Sequence, residues 1–288
     1  MAPKGTLFII GGHEDKGIAG QIPDIYTHEV HAAHFAILGS LMRALPKAHH
    51  IIEIIAAASS IPKEMEELYM NAYKNAGFKK VAIIRIDNHE QANDEEYVRR
   101  IKYAHSVFFT GGDQKRLVSL LSNSAVLAAI KNKYHDDKNF ILAGTSAGAM
   151  SMPVHMIARG VIEEALLEGD LEMNDGLGFI DGLIVDTHFV KRGRFGRLAH
   201  AVARTQDARI GIGLGEDAAM MITGGNEAIC VGSGMVIVID GSDIAATNIA
   251  TADDSTPIAI ENLKVHILAE GCKYLIAEKK FVLSDSGK

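Results

Sequence analysis

Short runs of aliphatic and β-branched residues recur along this chain, separated by longer segments in which apolar residues return every three or four positions. The first pattern belongs to strands buried on both faces, the second to amphipathic helices. We read strands at TLFIIGG (6–12), IIEIIAA (51–57), VAIIRI (81–86), SVFFTGG (106–112), FILAG (140–144), GLIVDTH (182–188) and ARIGIG (208–213). In PKEMEELYMNAYKNAG (62–77), Pro62 suits a first helical turn, Met65, Leu68, Tyr69 and Ala72 form an apolar stripe, and Gly77 suits the C-terminal cap. NDEEYVRRIKYA (93–104) reads as a second helix, with Asn93 at its N-cap and acidic residues in its first turn. This alternation predicts βαβ units and a mostly parallel sheet. After residue 210 the pattern changes: AAMMITGGNEAICVGSGMVIVIDGS (218–242) predicts short strands joined by glycine-rich turns, as hairpins along one edge of the sheet. No linker, repeat or low-complexity tract interrupts the chain, so residues 1–288 are expected to form a single domain.

Composition narrows the partners. With 288 residues, 48% of them apolar, the chain can bury a large core. A net charge of −7 supplies no basic field, which argues against nucleic acid and anionic membranes and for small molecules or peptides. Cys230 and Cys272 lie far apart and lack metal-ligand spacing, so a reducing compartment is expected. The apolar run Leu7 to Ile10 is too short for a signal-peptide core, and the uncharged stretch 140–158 is broken by Gly, Thr, Ser and Pro. The expectation is a soluble, cytoplasmic protein.

The chemistry centres on FILAGTSAGAM (140–150). Gly144 to Gly148 fit G-x-S-x-G, in which a strand turns sharply into a helix and presents a serine hydroxyl, here Ser146, at the strand's C-terminal end. The pentapeptide alone is only suggestive; its place after an apolar run and before the helix-compatible AGAMSM strengthens it. An activated serine needs a base and an oxyanion site. The backbone N–H of Ala147 is one candidate donor, and Gly111 or Gly112 of FFTGGDQ supplies a second, with Gly112 preferred. His188 is the candidate base, because it ends a strand expected in the same parallel sheet, at the same edge as Ser146. THEVHAAHF (27–35) places His28, His31 and His34 close together, but the spacing is not H-E-x-x-H, and no metal site is expected. Lys191, Arg192, Arg194 and Arg197 put local positive charge beside His188, suited to a substrate carrying carboxylates. Glu216, Asp217 and Asp186 all remain candidates to orient the histidine.

Taken together, GGHEDKG (11–17), FFTGGDQ (108–114), GTSAGAM (144–150), DTHFVKRGRFGRL (186–198) and GLGEDAAM (213–220) resemble the cyanophycinase family, serine peptidases grouped with aspartyl dipeptidases. The resemblance implies a three-layer α/β sandwich similar to class I glutamine amidotransferases. It also implies a homodimer, no metal or organic cofactor, and an exopeptidase that releases β-Asp-Arg dipeptides from cyanophycin, a poly-aspartate with arginine on its β-carboxyls. Carried over, Ser146 is the nucleophile that forms an acyl-enzyme, His188 the general base and Glu216 the orienting acid. Gln114, Asp186, Arg192, Arg194 and Arg197 match pocket positions, with Asp186 a candidate partner for a substrate guanidinium. An α-aspartyl dipeptidase and an inactive binding protein on the same scaffold are the alternatives.

Overall fold

In the computed structural model, which describes residues 2–14, 16, 36–45, 51–160 and 166–284, five of the apolar runs pair as parallel strands. They are β1 (Thr6–Ile10), β2 (Ile51–Ile55), β3 (Lys80–Ile84), β4 (Ser106–Phe109) and β5 (Ile141–Thr145), in the order β1-β5-β4-β2-β3. Every residue of β4 and β5 is buried, whereas β3, an edge strand with one neighbour among the described residues, starts on exposed Lys80. The histidines at 28, 31, 34, 49 and 50 lie outside the described residues.

The helices of this half are α1 (Ala36–Ala44), α2 (Pro62–Asn75), α3 (Glu95–Tyr103), α4 (Gln114–Leu121), α5 (Ala125–Asp136) and the single turn α6 (Ala147–Met150). Strand side chains alternate between faces, and the core divides accordingly. Phe8, Ile52, Ile54 and Phe108 meet Leu38, Leu41, Tyr69 and Tyr73 of α1 and α2. Leu7, Ile9, Phe109 and Leu142 point the other way, into a cluster with Leu117, Leu121, Ile130 and Tyr134 of α4 and α5. Pro62 opens α2, and Gly77, at φ +100°, follows its end while Phe78 N–H bonds back to the Tyr73 carbonyl. The cap of α3 is Asp94 and not Asn93: Asp94 accepts from Glu96 N–H at 2.7 Å, while Asn93 accepts from Ala125 N–H at the start of α5. The one-residue offset changes the role of Asn93, which ties two helices together.

The second half departs further from expectation. A hairpin of β6 (His155–Gly160) and β7 (Leu171–Asp175) precedes β8 (Leu183–Asp186), α7 (Phe195–Arg204) and β9 (Ile210–Leu214). Then follow β10 (Ala219–Thr223), β11 (Glu227–Val231), β12 (Val236–Asp240), the short pair β13 (Ala246–Thr247) and β14 (Ile260–Glu261), β15 (Lys264–Leu268), β16 (Lys273–Leu275) and β17 (Lys280–Val282). β8 does not join the sheet that holds β5. It pairs in parallel with β9 in a separate sheet of order β15-β12-β9-β8. A strand buried on both faces carries no alternation to say which sheet it enters, and all of β8 is buried. The 218–242 region is likewise split: β10 lies antiparallel against β1, β11, β16 and β17 extend the central sheet beyond it, and β12 leaves for the second sheet.

The result is α/β, with a central sheet, parallel through its β1 to β3 half, between helical layers. The second sheet packs on the α4 and α5 side: Leu183, Val185, Ile212 and Val238 belong to the same apolar cluster as Leu7 and Ile9. Its outer face carries α7 through Ile184, Ile239, Leu198 and Val202. Among the described residues no helix is long and apolar enough to cross a membrane. Beside the strand end that carries His188, the Phe189 ring lies flat on Gly213, where a methyl group would come within 2.5 Å of ring carbons. Gly213→Ala should therefore lower stability by about 1–3 kcal/mol by overpacking, read as a lower urea midpoint at unchanged slope; an unchanged midpoint would mean that the ring yields freely.

Candidate active site

The turn from β5 into α6 holds Ser146 at φ +51° and ψ −119°, a left-handed backbone that side-chain-bearing residues rarely adopt. Its N–H donates to the Ile10 carbonyl at 3.0 Å, fastening the turn to the end of β1. Sterics explain the small neighbours. A Cβ on Gly144 would lie 2.8 Å from the Gly148 backbone, and one on Gly148 would lie 2.4 Å from the Phe109 carbonyl oxygen.

Ser146 Oγ lies 3.0 Å from His188 Nε2, and His188 Nδ1 lies 3.1 Å from Glu216 Oε1. The second oxygen of Glu216 accepts from Lys191 Nζ at 3.1 Å. Asp217, the adjacent candidate, turns away: its carboxylate accepts from the Ser233 hydroxyl. Burial pushes the His188 pKa down, Glu216 pulls it up, and Arg192 and His13 add to the downward push, leaving it below the usual imidazole value. Burial raises the Glu216 pKa, but hydrogen bonds from His188 and Lys191 outweigh it and hold the carboxyl below its usual range. At neutral pH the ring is thus a neutral imidazole, with an ionised carboxylate at Nδ1 and Nε2 left to accept from Ser146 Oγ.

Three successive carbonyls at the end of β1 hold the three segments. Ile10 O accepts from Ser146 N–H, Gly11 O from His188 N–H and Gly12 O from Asp217 N–H, each at 3.0 Å. His188 and Asp217 are also left-handed, both at φ +49°. Gly12, at φ +103°, has to be glycine on two counts, because a Cβ there would sit 2.4 Å from His188 Cε1. The next residue, His13, places its ring edge-on to His188 and its Nε2 3.6 Å from Glu216 Oε1. Glu14 points inward and is buried; its carboxylate accepts from Thr145 Oγ1 at 2.8 Å and Tyr69 OH at 2.6 Å, with Lys16 Nζ at 3.4 Å.

The remaining sequence candidates separate. Gly111 lies against Ser146, where a methyl would come 3.4 Å from Ser146 Cβ. Gly112, at φ +145°, packs on the backbone of Ala58, and Ala147 opens α6 directly after Ser146. Gln114 donates its side-chain amide to the Ile157 and Ala158 carbonyls of β6. Asp186 is fully buried and accepts from Arg194 Nη1 at 3.1 Å and Arg197 Nε at 2.8 Å. It is therefore neither the partner of His188 nor a free acid open to a substrate guanidinium, as the sequence suggested. Arg194 and Arg197 are buried with it; burial, with Arg197 and Arg192 nearby, brings the Arg194 pKa to about 10, still cationic at neutral pH. Arg192 and Lys191 are the cations of the segment that stand in solvent.

With this geometry in hand, the comparisons with known proteins are direct. The model of Peptidase family S51 matches residues 34–230. The chain belongs to peptidase family S51. It is thus a serine-type peptidase. A Nostoc protein named cyanophycinase is 34% identical to this S51 peptidase over 279 residues, covering 97% of this chain and 88% of that protein. The cyanophycinase of Synechococcus elongatus is 32% identical over 271 residues, covering 94% and 79%. The crystal structure of a peptidase from an acI-B1 Actinobacterium shares the fold, with a TM-score of 0.64 at 19% identity over 95% of this chain and 98% of that one.

Sequence reasoning placed Ser146, His188 and Glu216 together but missed what surrounds them in this S51 peptidase. Gly12, His13 and Glu14 were visible only as parts of a motif, since nothing local says that the end of β1 would meet residues more than 130 positions away. The two acids near His188 should respond to truncation with losses of very different size. Asp186→Ala strands two buried guanidinium groups and should cost about 3–5 kcal/mol, seen in denaturant unfolding. Glu216→Ala, at a partly exposed carboxylate, should leave the midpoint within about 1 kcal/mol. Equal losses would refute this division.

Proposed function

We propose that this S51 peptidase degrades cyanophycin to β-Asp-Arg dipeptides through an acyl-enzyme on Ser146. The observation that carries this reading is the unbroken relay from Ser146 Oγ to His188 Nε2 and from His188 Nδ1 to Glu216, at 3.0 and 3.1 Å, in a chain at least 32% identical to the cyanophycinases named above. Ser146 Oγ attacks the scissile backbone carbonyl while His188 Nε2 takes its proton; Glu216, ionised and fixed by Lys191, keeps the Nδ1–H tautomer and stabilises the imidazolium that forms. The backbone N–H groups of Ala147 and Gly112 receive the oxyanion, a contribution worth on the order of 100-fold or more in rate per donor. His188 then protonates the leaving amine, and water, activated by the same nitrogen, releases the acyl group.

Substrate recognition follows from the charges left accessible. The polymer offers carboxylate near the scissile bond, and Arg192 with Lys191 are the exposed cations next to His188. Arg194, Arg197 and Asp186 act beneath them as a paired platform for this loop, and Gln114 fixes β6 beside it. The family resemblance further supports a homodimer as the working form.

Purified protein incubated with cyanophycin, and separately with α-aspartyl dipeptides, tests the reading by mass spectrometry of products. Release of β-Asp-Arg is expected; cleavage of the dipeptides alone would replace it with a dipeptidase, and cleavage of neither would leave a binding protein. Ser146→Ala should fold normally and lose on the order of 10⁴-fold or more in kcat, with a comparable loss in Glu216→Gln and little in Asp217→Asn. Near-normal turnover in Ser146→Ala would overturn the assignment.

A further inference from the structure

Catalysis as proposed does not use His13, although its ring lies at the centre of the machinery. One donor atom from each of His13, His188 and Glu216 lies within 4.8 Å of the other two. The atoms that converge on Glu216 Oε1 are His188 Nδ1 at 3.1 Å and His13 Nε2 at 3.6 Å. Ligands about 2.0–2.1 Å from a tetrahedral Zn²⁺ sit roughly 3.3 Å from one another, so the two contacts to Glu216 are near that spacing and the two imidazoles, within 4.8 Å of each other, have to close up. His13 can supply this movement: its side chain is 64% exposed, while His188 and Glu216 are held by their neighbours. Two imidazoles and a carboxylate select a borderline transition metal over hard Mg²⁺ or Ca²⁺.

We propose that His13, His188 and Glu216 form an inhibitory site for Zn²⁺ or a similar divalent transition metal. The consequence for catalysis rests on the role given above to His188; the binding itself does not. In the working state the His188 proton is on Nδ1, facing Glu216, and the Nε2 lone pair faces Ser146. A metal ion at Nδ1 needs a lone pair there, so it binds the other tautomer of the neutral ring, in which the proton has passed from Nδ1 to Nε2. No proton is lost from the ring, but Nε2 becomes a donor to Ser146 and can no longer accept from it. Glu216 Oε1 is at the same time withdrawn from the imidazole and given to the metal. Lys191 stays on the other carboxylate oxygen, and its charge, with that of Arg192, opposes the ion and keeps binding weak and reversible.

Calorimetry and Co²⁺ absorption on the full chain test binding apart from activity. Wild type and Ser146→Ala, which keeps all three donors, should each bind one Zn²⁺ at this site, and Co²⁺ should give a tetrahedral-type visible band. His13→Ala removes a direct ligand and should weaken Zn²⁺ binding by at least the roughly ten- to hundredfold that loss of an outer-shell partner costs, and abolish the band. In cyanophycin hydrolysis, each variant compared with its own metal-free rate, Zn²⁺ should suppress the wild type, a chelator should restore it, and His13→Ala should need correspondingly more metal. Zn²⁺ affinity and inhibition unchanged in His13→Ala would overturn the proposal, as would loss of binding without any change in inhibition. A wild type inactive on cyanophycin would count against the proposed function alone, because the binding measurements decide this site independently.

Discussion

The site depends on the carboxyl end of β1. Its last carbonyls, Ile10, Gly11 and Gly12, receive the N–H groups of Ser146, His188 and Asp217 in turn, and these residues come from three segments in two different sheets. Strand β1 belongs to the central sheet; β8, which leads to His188, and β9, which leads to Glu216, belong to the second. This ladder, with the bonds from Gly11 N–H to the Ala218 carbonyl and from Phe189 N–H to the Leu214 carbonyl, sets the distance between the serine and its base. The spacing of the ladder is the spacing of the catalytic segments, so the relay distances of 3.0 and 3.1 Å follow from strand geometry more than from side-chain flexibility. The ladder also explains the Gly11-Gly12 pair. A methyl on Gly11 would lie 1.9 Å from the Gly215 carbonyl oxygen, and one on Gly12 would strike the His188 ring.

Three carboxylates lie close to this ladder, and their surroundings sort them. Glu216 is partly open to water and meets two imidazoles and a lysine, so it remains ionised without a large penalty and can respond to charge on His188. Asp186 has no exposed surface and two guanidinium partners; an acid so committed stabilises the fold of the 186–197 loop and is insulated from the reaction. Glu14 is as deeply buried, but its partners are hydroxyl groups and Lys16, and one of them, Thr145, precedes the serine. It braces the last residue of β5 from below. The same residue type thus serves the reaction, the loop and the elbow, depending on what the backbone brings within 3 Å.

This distinction also marks where the sequence stops being legible. Ser146 was readable because its requirement is local: glycine on both sides of a strained residue between an apolar strand and a helix leaves a signature within five positions. All seven apolar runs are strands, since period and residue type are local as well. What failed was partnership. β8 and β9 read as members of the parallel sheet, yet a fully apolar run fits any buried position, and here the two pair with each other in the second sheet. Asp186 and the arginines failed for the same reason. A loop with four basic residues looks like a surface for anions, and only the fold reveals that two of them turn inward to meet an acid eight and eleven residues back. Glu216 was distinguishable from Asp217 by family resemblance; in the fold the two part by their partners, Glu216 meeting His188 and Lys191 and Asp217 meeting the Ser233 hydroxyl.

Left-handed backbone at Ser146, His188 and Asp217, with His13 beside them at φ +50°, concentrates strain in one small region. Such conformations cost about 1–3 kcal/mol each and persist only where the surroundings over-determine them. Here each of the three is held by its own hydrogen bond to β1, and Ser146 is held again through the Glu14 contact to Thr145. Those restraints join segments of both sheets to the end of β1, so no isolated piece of the chain could maintain them. The strain is therefore sustained by the packing that joins the sheets, the cluster running from Leu7 and Ile9 through Val185 and Ile212. A chain that loosened the contact between its two sheets would relax the serine turn and the histidine together, which makes the apolar interface between the sheets as much a determinant of the reactive geometry as the residues that carry it.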